Sequence, residues 1–169
     1  MGLDFLSADL EKRFVELLKE KGLKAATAES LTGGLVSERI TEVSGASQVF
    51  ECGVCSYSNR IKHEILGVPG EVLEKYTEYS EETAAEMAKG IRRLSGADIG
   101  ISTTGIAGPA GGTPEKPVGL VYIGISTEKN TFAKEFNFSS QAEPVTRKDI
   151  RFLASSCAIF YALEEIRKI

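Results

Sequence analysis

Leu23-Lys24-Ala25-Ala26-Thr27-Ala28-Glu29-Ser30-Leu31-Thr32-Gly33-Gly34-Leu35-Val36 passes from a short, mostly apolar run through a polar and glycine-rich turn into a helical pattern carried by Leu35, Val36, Ile40 and Val43. This is a strand, a glycine turn and a helix start, the half-unit from which α/β sheets are built. Upstream, Leu10, Phe14, Leu17 and Leu18 recur at helical spacing, with Ser7 as N-cap and Gly22 as stop, predicting an amphipathic helix over residues 7–21. Downstream, Val49 to Tyr57 reads as a strand, Asn59 onward as a short helix and Gly67-Val68-Pro69-Gly70 as a break. Ser80 caps a longer helix to about Leu94, on which Ala84, Met87, Ala88 and Ile91 keep helical spacing. Ala97 to Thr104 is the next strand, Val118 to Ser126 and Thr131 to Phe138 form a hairpin, and a helix from about Thr146 to Lys168 closes the chain. The pattern predicts an α/β fold, a three-layer α/β/α sandwich with one mixed sheet, spanning residues 1–169 as a single domain.

Composition narrows the function classes. With 169 residues, 42% hydrophobic and 26% charged, the chain matches an ordinary globule that buries about 70% of its unfolded surface. A net charge of -4 argues against a protein whose task is neutralising phosphate backbones, so no nucleic-acid partner is expected. No apolar run approaches the roughly 18 residues that span a bilayer, and Met1-Gly2-Leu3-Asp4-Phe5 lacks the basic segment of a signal peptide. The expected setting is the cytoplasm, with no membrane partner. Three cysteines, Cys52, Cys55 and Cys157, are too few for a disulfide framework, and Cys52 and Cys55 sit three apart in a strand, where they point to opposite faces as half-buried thiols. One histidine, His63, excludes a multi-histidine zinc site, and neither a P-loop nor a dinucleotide fingerprint is present. No metal and no cofactor is expected.

Three segments carry chemistry. Around Ser30, a hydroxyl at a strand end precedes Gly33 and Gly34 and a helix N-terminus, which combines a nucleophile with amide donors for an anion, although Ser30 or Thr32 as a simple helix cap satisfies the same pattern. Tyr57-Ser58-Asn59-Arg60-Ile61-Lys62 occupies another strand-to-helix junction. A poorly solvated Lys62 there serves as base in a Ser-Lys pair, whereas a solvated helix lysine does not. Between Thr103 and Pro117, four glycines at 105, 108, 111 and 112 clear side chains from one rim of the sheet while Pro109, Pro114 and Pro117 limit loop entropy, the make-up of a ligand-binding loop. Arg147-Lys148-Asp149-Ile150-Arg151 puts cations at a helix start, where a bound anion or a subunit contact offsets the dipole and a solvated face is the default.

The order Ala28-Glu29-Ser30-Leu31-Thr32-Gly33-Gly34, Tyr57-Ser58-Asn59 with Lys62, Thr104-Gly105-Ile106-Ala107-Gly108-Pro109 and Lys116-Pro117-Val118-Gly119 resembles the CinA C-terminal domain family, from Leu10 to about Phe138. Members include nicotinamide-nucleotide amidases, which convert nicotinamide mononucleotide to nicotinate mononucleotide and ammonia in pyridine nucleotide recycling. The resemblance implies a three-layer fold, no metal and homo-oligomers built from dimers. Carried over, it makes Ser30 the nucleophile and Lys62 its base, with Tyr57 and Thr104 orienting the dyad or donating to the oxyanion. Thr32, Gly33, Gly34, Asn59, Gly105, Ala107, Gly108, Gly111, Gly112 and Arg147 are then the residues expected to hold the nucleotide. Two segments depart from the pattern: members usually have His-Gly-Ala-Val-Ser where this chain has Tyr76-Thr77-Glu78-Tyr79-Ser80, and a Gly-Asp-Arg turn where it has residues 139–147. A rival reading keeps the pocket without turnover, as a nucleotide-binding regulatory module; Lys62 within hydrogen-bond reach of Ser30 favours the enzyme, and Lys62 in an ion pair with a carboxylate favours the module. A scaffold in competence or DNA-damage responses has only the family's name behind it. The longer members also carry an N-terminal nucleotide-pyrophosphatase domain, whose activity is not expected of this chain.

Overall fold

The structure, a computed structural model, describes residues 6–140 and 145–169. Five strands form one sheet in the order β2-β1-β3-β4-β5, with β1 Ala25–Glu29, β2 Phe50–Cys55, β3 Ile99–Gly105, β4 Leu120–Ser126 and β5 Thr131–Asn137. The first three are mutually parallel and the last two antiparallel, so the sheet is mixed as the sequence pattern predicts. Parallel strands need helical crossovers, and these cover the two faces. Helices α1 (Leu10–Lys21), α2 (Leu35–Thr41) and α6 (Arg147–Ile166) lie on one face. Helix α5 (Glu81–Ser95), with α4 (Gly70–Tyr76) against it, lies on the other, and α3 (Asn59–Glu64) follows β2.

Buried on both faces, β1 alternates between the layers: Ala25 packs into the α1/α6 core, Ala26 and Ala28 into the α5 core with Met87 and Ile91. Small side chains on this strand let both layers approach. Helix α5 sits closest, because a Cβ at Gly100 would lie 2.1 Å from the Ala88 carbonyl oxygen, and one at Gly124 would lie 2.3 Å from that of Ala84. Its start is fixed by Ser80, whose side chain accepts from the Thr83 amide, and its end by Gly96 in the left-handed conformation.

Some sequence expectations need correction. Helix α1 begins at Leu10 after a turn, with Asp9 rather than Ser7 at the N-cap position and no side-chain cap; the Ser7 contribution is its backbone carbonyl, which accepts from the Leu10 amide. Helix α4 is unforeseen, since Pro69 and Gly70 read as a break; proline in fact tolerates a helix start, where its missing N–H is not needed, and no residue of α4 is fully buried to give a strong periodic signal. Strand bounds move by one to two residues, as β1 reaches Glu29 and β3 reaches Gly105, while β2 stops at Cys55. Cys52 is half-buried and Cys55 exposed on opposite faces of β2.

Strand order reverses around β1: the chain moves from β1 to β2 on one side, then returns to β3 on the other. In open α/β sheets the crevice at the carboxyl ends of strands flanking such a switch point is where ligands bind. Ser30 follows β1 and Gly105 ends β3, so the two segments flank that crevice.

Candidate active site

Glu29, the last residue of β1, is 1% exposed, and its carboxylate takes the amides of Gly34, Val36 and Ser37 at 2.9, 3.0 and 2.9 Å and the Ser37 hydroxyl at 2.7 Å. The positive end of α2 is therefore filled by the protein's own anion. This overturns the placement of Gly33 and Gly34 as donors to a bound anion: Gly34 gives its N–H to Glu29 and Gly33 gives its N–H to the Ser30 carbonyl. Thr32 is fully buried and its hydroxyl pairs with that of Thr103 at 2.7 Å, away from the cleft. What these residues do is shape the turn that carries Ser30. Its amide is anchored on the Thr103 carbonyl at 2.9 Å, and Arg151 of α6 donates to the carbonyls of Leu31 and Thr32 at 3.1 and 2.6 Å.

Ser58 caps α3 by accepting from the Ile61 amide, and one turn later Lys62 points inward. Its Nζ lies 3.1 Å from Ser30 Oγ, with the carbonyls of Ser56 and Tyr57 at 2.9 and 3.4 Å. At 1% exposure the ammonium loses most of its hydration, and burial lowers its pKa to about 8 against a smaller opposing pull from the Glu78 carboxylate. Among the described residues no carboxylate forms an ion pair with Lys62. His63, its neighbour, turns away and bonds the Val68 carbonyl oxygen through Nδ1 at 2.7 Å.

A cleft of about 370 Å³ opens over this pair, with Ser30, Leu31, Tyr57, Asn59, Lys62 and Glu78 in its walls. Tyr79, the chain from Gly105 to Gly108, Ala110, Gly111 and Arg147 complete the lining. Nine residues singled out in the sequence thus meet in one cavity: Ser30, Tyr57, Asn59, Lys62, Gly105, Ala107, Gly108, Gly111 and Arg147. Thr104 and Gly112 do not join them. Thr104 is fully buried and donates to the Glu78 carbonyl at 2.6 Å, so it braces the wall instead of facing substrate; Gly112 backs onto Val118. Arg147 donates to the Gly108 carbonyl at 2.7 Å and to the Tyr57 hydroxyl at 3.3 Å, spanning the mouth.

Sequence reasoning missed Glu29, Arg151, Glu78 and Tyr79. A signal existed for Arg151, which stands four residues after Arg147 and therefore on the same side of α6. None existed for Glu78, whose place depends on a turn at Thr77 with φ 69° and ψ 175°, a region nearly reserved for glycine. Lys116 holds that turn with bonds from Nζ to the Thr77 hydroxyl, the Tyr79 carbonyl and the Tyr76 carbonyl at 2.5, 3.0 and 3.4 Å. Burial first of all pushes the Cys52, Cys55 and Cys157 thiols upward, away from the thiolate form. Among the described residues no group of three or more His, Cys, Asp or Glu could hold a metal, and no helix is long and apolar enough to cross a membrane.

The model of the CinA C-terminal domain matches residues 7–166. The chain belongs to the CinA C-terminal domain family. A CinA-like protein of Kosmotoga olearia is 46% identical over 159 residues, 94% of this chain and 36% of that protein. A protein of Thermoanaerobacter pseudethanolicus is 50% identical over 142 residues, 84% of this chain and 34% of that one, so the chain spans about a third of the length of the curated relatives it matches. Among solved structures, the competence/damage inducible protein CihA from Agrobacterium tumefaciens superposes with a TM-score of 0.84 at 35% identity, covering 97% of this chain and 99% of that one. A CinA superfamily protein from Klebsiella pneumoniae gives 0.88 at 27% identity, covering 95% and 98%. The α/β/α fold of this CinA-family chain is thus shared with those structures over nearly its whole length. Of the two segments that depart from the family pattern, Tyr76–Ser80 supplies Glu78 and Tyr79 to the cleft, while within 139–147 residues 141–144 lie outside the described part.

Proposed function

We propose that this CinA-family chain is an amidohydrolase that converts nicotinamide mononucleotide to nicotinate mononucleotide and ammonia, acting in pyridine nucleotide recycling in the cytoplasm. The observation that carries the reading is the 3.1 Å contact between Ser30 Oγ and a buried Lys62 Nζ whose pKa is lowered to about 8. At pH 7 about a tenth of such lysines are neutral, enough for a general base whose proton affinity stays close to the operating pH.

Neutral Lys62 accepts the Ser30 proton as Oγ attacks the carboxamide carbon, giving a tetrahedral oxyanion. The Leu31 and Ala107 amides have no hydrogen-bond partner among the described residues and belong to the cleft wall, which makes them the candidate oxyanion donors. The Lys62 ammonium then hands its proton to the amide nitrogen, the C–N bond breaks and ammonia leaves. Water, deprotonated by the same lysine, attacks the Ser30 ester; the proton returns to Oγ and nicotinate mononucleotide departs. To Arg147, whose guanidinium bonds the Gly108 carbonyl beside the Gly105–Gly111 loop, the proposal assigns the phosphate. Oligomers built from dimers belong to the same proposal, and light scattering reads them directly.

The test is ammonia release from nicotinamide mononucleotide by the purified protein with chelator present, beside Ser30→Ala and Lys62→Ala. Turnover lost by at least a thousandfold in both folded variants is expected, about what removing a nucleophile or its base costs. Binding without turnover in the parent would move the reading to a regulatory nucleotide-binding module.

A further inference from the structure

The lining of the cleft carries both a carboxylate and a guanidinium. Arg147 stands at the mouth against Gly108 and Tyr57, while Glu78 stands on the Lys62 side, its carboxylate held by the Asn59 side-chain amide at 3.3 Å. Among the described residues no ion pair neutralises Glu78. The turn that presents it is strained: Thr77 holds a positive-φ backbone conformation that residues with a Cβ rarely adopt, and Lys116, Thr83, Ser80 and Thr104 all hydrogen-bond the 76–79 segment to keep it there. Strain maintained by so many contacts marks a segment with a job at the cleft. Two phenol rings, Tyr57 and Tyr79, line the same space, and rings of this kind attract cations over their faces.

We infer that Glu78, with Tyr57 and Tyr79, makes the cleft selective for a carboxamide carried on a positively charged aromatic ring. The inference rests on the amidase reading. A carboxamide reaching Ser30 places its ring beside Lys62, and the Glu78 carboxylate is near enough to be felt at the Lys62 ammonium. In nicotinamide mononucleotide that ring is a pyridinium, while its phosphate is dianionic, so a cleft lined by a carboxylate near Lys62 and by the Arg147 guanidinium offers a partner for each charge. Electrostatic matching of this kind sets specificity more than total affinity. It also separates substrate from near relatives with a neutral ring, which keep every hydrogen-bonding group.

The experiment compares two ligands that differ in ring charge: nicotinamide mononucleotide and its 1,4-dihydro form. Binding is read by titration calorimetry in a Ser30→Ala background, so that the different reactivity of the two carboxamides does not enter. Glu78→Gln is expected to weaken binding of the cationic ligand about five- to tenfold, a partly screened charge pair, and to leave the dihydro form within about twofold. Glu78→Lys is expected to reverse the order of the two ligands. Equal losses for both ligands, or no loss, while the parent still releases ammonia from nicotinamide mononucleotide, overturns this inference alone. A parent that neither binds nor hydrolyses nicotinamide mononucleotide overturns the amidase reading and this inference with it.

Discussion

In the proposed mechanism, burial is what makes Lys62 a base. Below its pKa of about 8 it is protonated and cannot accept the Ser30 proton; above it the amine is free. The logarithm of kcat/KM for ammonia release is therefore expected to rise with unit slope up to about pH 8 and then level off, measured between pH 6 and 9.5. Lys62→Arg is expected to remove the limb altogether, because a guanidinium stays protonated throughout. A slope that persists in the arginine variant would assign the titration to another group. The sequence places Ser30 and Lys62 at strand-to-helix junctions but cannot say that they touch, since 32 residues separate them and only the sheet brings the ends of β1 and β2 together. Desolvation of Lys62 was equally hidden, because it is produced by neighbours from several elements.

At the scale of elements, the turn that carries Ser30 is held from two directions. Glu29 caps α2 from within, and Arg151 reaches across from α6 to the Leu31 and Thr32 carbonyls. Arg151→Ala is expected to lower kcat about tenfold with little change in KM, since it loosens the geometry of Ser30 without touching the cleft mouth. Steady-state kinetics read this, and a change in KM alone would place Arg151 in substrate binding. Glu29→Ala leaves three amides and a hydroxyl without their acceptor and is expected to cost at least about 2 kcal/mol in urea unfolding, with Glu29→Gln costing less. A cap of this kind resists reading from sequence, where an acid at a strand end and an acid in a loop look alike.

Across the whole molecule, the distance between α5 and the sheet is set by glycines. Gly100→Ala would place a methyl 2.1 Å from a backbone oxygen that cannot rotate away, so the helix must move as a body. A loss of at least about 2 kcal/mol and a fall in Tm of about 5 °C or more is expected from calorimetry. The same layer carries Ser80, the cap of α5 and the end of the Thr77 turn, so lifting the helix is felt at Glu78 in the cleft.

Local physics was enough for the layers of this protein. Helical periodicity at Leu10, Phe14 and Leu18, the cap at Ser80, the stop at Gly22 and the alternation of strand and helix are short-range patterns, and they determined an α/β/α sandwich with a mixed sheet. The glycine-rich stretch after β3 likewise marked one wall of the cleft. Tertiary structure decided which of the marked residues face it. Glycines 33 and 34 and Thr32 were drawn into internal bonds, Thr104 became a brace, and Glu78 and Tyr79 entered through a strained turn held by Lys116, which lies 37 to 40 residues further along the chain. A hydrogen bond is indifferent to sequence separation, so a buried donor takes whichever acceptor the packed fold brings within reach, and the sequence states the groups without their partners.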